Sequence, residues 1–332
     1  MTSMQHKFGA LDLIRAGLQD LDRARTLFDE LHNDGIDDDR MRLLLATLEK
    51  ACDPDIALSN LVDIIKVMQS QGKDFTNIIA DENSFVRLIT VLGVSDEMGK
   101  LMRFRPELVE AAANDACESH LYNHEQRRAH VLKSVGADPN DHTMPTASLP
   151  LAEAATALRK TYRKQLAAIM AQDATANDPI EIQPRISTEL SDLADAALEG
   201  ALAIARHEVD GSEHVRFAII GMGKLGAQEL NYVSDVDLIY VVEPADMDTN
   251  GMALSRIGTK MATTLQRVCQ SVIMGVAEPT LWQIDGGLRP EGKDGPLVRR
   301  LESHEAYYEQ WAENWEFQAL LKARPVAGDT DL

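Results

Sequence analysis

The chain has little of what marks several protein classes. Only three cysteines occur in 332 residues, at positions 52, 117 and 269, with no C-x-x-C pair. That excludes a disulfide framework and predicts reduced, buried thiols in a cytoplasmic protein. Aromatic residues make up 5% of the chain against a hydrophobic fraction of 45%, the texture of a soluble, Leu/Ala-rich helical protein. Basic residues are scarce: 33 Lys and Arg stand against 53 Asp and Glu, for a formal charge of −20. So acidic a surface repels a phosphate backbone and argues against DNA or RNA as the main partner. No apolar run approaches the length of a membrane span. The N-terminal segment carries charges where a signal peptide needs its apolar region. Internal repeats and low-complexity tracts are also missing.

What is present suits two domains more than one. Roughly the first two-thirds reads as successive helices. Met41, Leu44, Leu45 and Leu48 fall at helical spacing, as do Leu58, Leu61, Val62 and Ile65. Asp53-Pro54 supplies a cap followed by a proline at the first helical position, and Asp37-Asp38-Asp39 reads as a solvated helix start. Further helices are predicted over 84–92, 106–113, 125–135, 151–172 and 187–207, with loops over 138–148 and 173–184. After residue 214 the texture becomes mixed. Strands are predicted over 215–221, 236–242 and 281–285, with a helix over 254–272 between the last two. A final helix over 302–323 stacks Tyr308, Trp311 and Trp315 on one face, as core packing, and stops at Pro325. This pattern is a small sheet with segregated helices joined to a large helical region.

The chemistry concentrates in GMGKLGAQELNYVSDVDLIYVV, residues 221–242. An apolar run enters a glycine-rich turn, whose backbone N–H groups can face an anion. Ser234 then precedes Asp235-Val236-Asp237, which opens a second apolar run. Residues two apart on a strand share a face, so both carboxylates project together beside the turn. On a buried strand such a pair repels unless a cation or a cationic side chain sits between its members. Asp285 ends another predicted strand, and if the strands are neighbours three carboxylates converge on one metal position.

Other patterns carry less. Residues 221–226 satisfy G-x-G-x-x-G, and Glu243 ends the next strand where a dinucleotide site wants an acid. The segment between Gly226 and Ser234 is too short for the crossover helix of a Rossmann unit, and no Ser or Thr follows Lys224 as a Walker A loop requires. His120 and His124 are four apart, but Glu125 is misplaced for a zinc helix. Lys322 and Arg324, at the end of the last predicted helix, are placed either to reach the site or to form surface ion pairs.

Gly-Lys at a turn, Asp-x-Asp on a strand and a distant single Asp resemble the layout of the nucleotidyltransferase superfamily. More specifically, GMGKLGAQELNYVSDVDLIYV, WQIDGGLRPEGKDGPLV and WEFQALLKARPVAGD resemble the family of bifunctional glutamine synthetase adenylyltransferase/adenylyl-removing enzymes. They span 217–329 in that family's order and spacing, while the helical region before them resembles the family only loosely. Such enzymes carry two homologous nucleotidyltransferase domains. ELNYVSD, in place of the ELGYGSD typical of the second copy, resembles the first, which removes AMP from glutamine synthetase.

The resemblance implies an α+β fold, with a helical region over 1–184 and a DNA polymerase β-like nucleotidyltransferase domain with a small mixed sheet over 185–332. It implies Asp235, Asp237 and Asp285 as catalytic metal ligands, and Gly221, Gly223, Lys224, Ser234 and Arg289 as the phosphate- and nucleotide-binding set. Mg2+ is the implied cofactor, ATP/ADP and inorganic phosphate the implied substrates or products, and glutamine synthetase and the PII signalling protein the implied partners. Two departures stand out: Ala227 replaces a usual glycine, and Gly287 replaces a basic residue often found two after the third Asp. The chain stops at Leu332, where the family continues with more helices and a second catalytic domain, so a fragment of a longer protein is expected. The competing expectation is a catalytically silent helical fragment that binds glutamine synthetase or PII.

Overall fold

Caps and apolar periodicity account for most of the helices in the computed structural model, which describes residues 8–73, 75, 78, 80–113, 122–245 and 250–332. Helices α1 to α7 run Ala10–Arg15, Leu21–Asn33, Asp38–Leu48, Pro54–Ser70, Glu82–Val94, Asp96–Phe104 and Pro106–Ala113. Asp37 caps α3 through the N–H groups of Asp39 and Arg40, and Asp53 caps α4 ahead of its N1 proline. Helices α8, α9 and α10 follow at His124–Ser134, Leu151–Ala174 and Pro179–Glu208. The chain divides into two compact units, residues 1–121 with 164–182, and residues 122–163 with 183–332. The first is helical among its described residues, around a core that includes Leu31, Leu44, Leu61, Phe85 and Leu92.

The second unit holds the sheet. Strand β1 (Val215–Gly221) leads through the one-turn helix α11 (Gly223–Gly226) to β2 (Val236–Pro244). Helix α12 (Gly251–Gln270), β3 (Ile284–Asp285), β4 (Val298–Arg299), α13 (Leu301–Gln310), α14 (Asn314–Leu320) and β5 (Arg324–Gly328) complete it. The sheet order is β3-β2-β1-β5, with β4 also pairing β2. Strand β1 is antiparallel to β2 and β5, whereas β3 and β4 run parallel to β2. Helix α12 buries Leu254, Ile257, Met261, Leu265 and Val268 and packs on β1, β2 and β4. At Gly258 a Cβ would lie 2.9 Å from Val242, so glycine permits that close helix–strand approach.

The fold is α+β with a small mixed sheet, as predicted, and several local expectations are corrected. The stretch 173–184 is not a loop throughout: α10 begins at Pro179 and carries Pro184 inside it. Asp178 accepts from the N–H groups of Ile180 and Glu181, a second Asp-Pro start that outweighs the internal proline. The predicted helix over 302–323 breaks at residues 311–313, where Glu313 N–H donates to Glu316 Oε2 at 2.8 Å and opens α14. Trp311 and Trp315 are 73% and 54% exposed, so the core role expected of that aromatic face fails. Residues 324–328 form an edge strand instead of following a helix stop. Its Pro325 pairs with Ile220 at an irregularity in the β1 register, a place where the missing N–H costs little. Strand β4 was not predicted, and the strand expected over 281–285 keeps only its last two residues. Cys52 is exposed and Cys269 buried, both as free thiols, so the expected burial fails at Cys52. Cys117 and His120 lie outside the described residues. Among the described residues no helix is long and apolar enough to cross a membrane.

Candidate active site

Two backbone features bring the turn against β2. Met222 N–H donates to the Asp237 carbonyl at 2.8 Å. Gly223 then takes φ +54°, and a Cβ there would lie 2.6 Å from Asp237 Oδ2. Glycine is required twice over at this position, for its backbone angle and for its contact. Gly221 closes β1 with room for no larger residue, since a Cβ would meet Val326 at 2.7 Å. Lys224 stands exposed on α11.

Asp235 lies just ahead of β2 and is exposed, while Asp237 lies on the strand and is half-buried. Parallel pairing of β2 with β3 sets Asp237 opposite Asp285 in register. One oxygen from each of Asp235, Asp237 and Asp285 lies within 4.8 Å of the others. Burial pushes the Asp237 carboxyl above its ordinary value, and the charges of Asp235 and Asp285 push it further, with Lys224 opposing. Three carboxylates this close, all oxygen donors, suit a hard divalent cation such as Mg2+.

The remaining predicted residues divide. Ser234 is half-buried next to Asp235. Arg289 directs its guanidinium into its own loop, donating to the carbonyls of Gly286 at 2.6 Å, Gly295 at 3.1 Å and Lys293 at 3.3 Å. That geometry braces the segment following β3. Gly287 N–H donates to Asp285 Oδ1 at 2.6 Å, so the residue that departs from the family pattern orients the third carboxylate through its backbone. The antiparallel β1–β2 pairing excludes the parallel βαβ unit of a dinucleotide site. Glu243, its would-be ribose ligand, instead binds Arg300 at 3.0 Å and the N–H of Leu301 at 2.9 Å.

A second polar cluster, not foreseen from the sequence, lies behind the turn: His124, Asp192 and Asp195 also bring their ligand atoms within 4.8 Å of one another. Its signal was available, because Asp192, Asp195 and Glu199 interrupt an otherwise apolar stretch of α10 at helical spacing. The hydrogen bond to Asp195 holds the His124 imidazole above its usual pKa, against its burial. Arg324 forks onto both Asp195 oxygens, at 2.6 and 3.2 Å, so Asp195 has a cationic partner without a metal. Lys322 pairs with Glu229 at 2.7 Å.

The sequence matches the model of the family described as glutamate-ammonia ligase adenylyltransferase over residues 85–332. It is 72% identical over 332 residues to the bifunctional glutamine synthetase adenylyltransferase/adenylyl-removing enzyme of Bifidobacterium longum strain DJO10A, covering all of this chain and 31% of that protein. The protein of the same name from Cutibacterium acnes is 40% identical over 323 residues, covering 97% of this chain and 32% of that one. Its counterpart from Streptomyces avermitilis is 37% identical over 324 residues, covering 96% and 30%. The chain thus spans under a third of the length of these curated relatives.

Proposed function

Because the chain belongs to the glutamate-ammonia ligase adenylyltransferase family, we propose that it is a metal-dependent nucleotidyltransferase that removes AMP from a tyrosine of glutamine synthetase. The observation that carries this reading is the β2–β3 register, which sets Asp285 beside Asp237 at the glycine turn. In the proposed reaction an oxygen of inorganic phosphate attacks the phosphorus of the AMP–tyrosine linkage. A new P–O bond forms, the P–O bond to tyrosine breaks, and the tyrosine oxygen leaves and takes up a proton. The products are ADP and free glutamine synthetase.

Asp235, Asp237 and Asp285 are the residues that would hold Mg2+, and their mutual repulsion in the ion-free chain is what fits them to it. A divalent cation bound there supplies positive charge to the phosphoryl oxygens as negative charge builds on them. Lys224 and the turn hold the outer phosphates and keep the attacking oxygen in line, so the protein contributes position and charge without a covalent intermediate. Ser234 supports the same phosphates, Gly221 lets the turn form, and Arg289 keeps the β3 loop in place. The AMP-attaching direction from ATP needs the same apparatus. The first-copy motif ELNYVSD favours removal. We further propose that the chain acts in the cytoplasm, where its substrate protein and free nucleotides meet, and that PII regulates it.

The test is to incubate the purified chain with adenylylated glutamine synthetase, phosphate and Mg2+, and to measure ADP. Release is expected, falling about 10²- to 10³-fold in Asp235→Asn and in Asp237→Asn, the loss of several kcal/mol of charge stabilisation. Release that those substitutions leave unchanged contradicts the reading. Binding of glutamine synthetase or PII with no release at all favours the silent fragment.

A further inference from the structure

Two of the predicted phosphate ligands, Gly223 and Lys224, sit on the one-turn helix α11, and a single turn does little to hold itself in place. Helix α11 leaves its last carbonyls without helical partners. Gly226 O has no backbone donor among the described residues, and Leu225 O has only the N–H of Gln228 at 3.2 Å. Both are met by one side chain. Arg324 donates from Nε to Gly226 O at 3.2 Å and from its second terminal nitrogen to Leu225 O at 3.0 Å. The same guanidinium forks onto Asp195, whose side chain is fully buried. A buried carboxylate needs such a partner, and a planar fork serves both ends at once. The cation also lies at the C-terminal end of the turn, the end that favours positive charge.

Helix α10 reaches the turn through two neighbouring side chains as well. Asp192 accepts from Gln228 Nε2 at 3.1 Å, and Ser191 Oγ accepts from Leu230 N–H at 3.3 Å. Gln228 follows the turn at φ +57°, one of two described non-glycine residues in that region. On the far side, a Cβ at Gly226 would meet Lys322 O at 1.9 Å, so the entry to β5 lies directly against the turn. The turn is therefore gripped from behind by α10 and β5 and faces the Asp235/Asp237/Asp285 cluster in front.

We propose that Arg324, held by Asp195, is a positioning residue for the phosphate-binding turn, setting the reach of Lys224 toward the three carboxylates. The turn's role in phosphate binding rests on the nucleotidyltransferase reading above; the brace itself does not. Arg324→Lys keeps the charge but loses the fork, and Asp195→Asn keeps the volume but loses the carboxylate. Hydrogen exchange of a peptide covering 222–229 follows the turn without reference to catalysis. Its rate rises at least about tenfold in both variants, while a peptide covering 236–244 stays protected. With adenylylated glutamine synthetase, KM for phosphate rises about 10- to 100-fold, more than kcat falls. The double variant is no worse than either single one, as residues of one network behave. Unchanged exchange at the turn, or a fully additive double variant, overturns the brace. If the wild-type chain releases no ADP, the nucleotidyltransferase reading fails and the exchange comparison still decides the brace. Should Asp195→Asn melt the whole chain, Arg324→Lys decides it alone.

Discussion

Asp237 is where the electrostatics of the site are most demanding. Its carboxyl is half-buried, lies beside two other acids and sits above its ordinary pKa. An acid whose folded-state pKa is raised makes the folded chain bind more protons than the unfolded one. On this residue's account, then, the ion-free protein is most stable at acid pH and loses that stability as pH rises through the raised value. Two outcomes follow for thermal melts. Without divalent ions at neutral pH, Asp237→Asn melts higher than the wild type and its melting point changes less with pH. With Mg2+ the order reverses, because ligand binding stabilises only the chain that retains the site. Gly223 makes a companion case. Gly223→Ala forces a side chain into a left-handed backbone position, at about 1–2 kcal/mol, and directs its Cβ at Asp237 Oδ2. Its expected signature is a loss of ADP release exceeding any loss of folding stability, read by assay and urea denaturation on the same preparation.

Among the elements, those written in local patterns were legible and those made by distant pairing were not. Strand β1 and helix α7 appear within the predicted bounds, and β2 begins where expected, because apolar runs and caps announce them. Asp-x-Asp and the glycine turn were readable for the same reason, since a strand's period and a glycine's freedom are local properties. Strands β4 and β5 exist only by pairing with β2 and β1, far from them in sequence, and Pro325 masks the second. Pro184 misled in the opposite way: a loop signal by itself, it is carried inside α10 by the Asp178 cap and the apolar face that follows. Buried Asp195 of α10 went unread because its partner, Arg324, is 129 residues away. Close packing between β5 and the turn gives a prediction at this scale. In Gly226→Ala the new Cβ meets a backbone carbonyl, which cannot swing aside, so the chain loses at least about 1–3 kcal/mol in urea denaturation.

Over the whole molecule, an acidic chain of net charge −20 brings three carboxylates together within the field of Lys224. Such a surface attracts divalent cations and admits phosphate only where a cation and the turn neutralise it. Retention of duplex DNA or RNA is therefore expected to be negligible at about 0.15 M salt, with or without Mg2+, in a filter-binding assay. Membership of the family and the α+β fold agree with the motif reading of 217–329. The helical unit, whose sequence resembled the family only loosely, still falls within relatives aligned over 96% or more of the chain. The central claim is the shared ion, and calorimetric titration of Mg2+ into the wild-type chain and into Asp235→Asn, Asp237→Asn and Asp285→Asn tests it most directly. One ion per wild-type chain, with affinity at least about tenfold weaker in each variant, is the predicted result; four indistinguishable isotherms would contradict it.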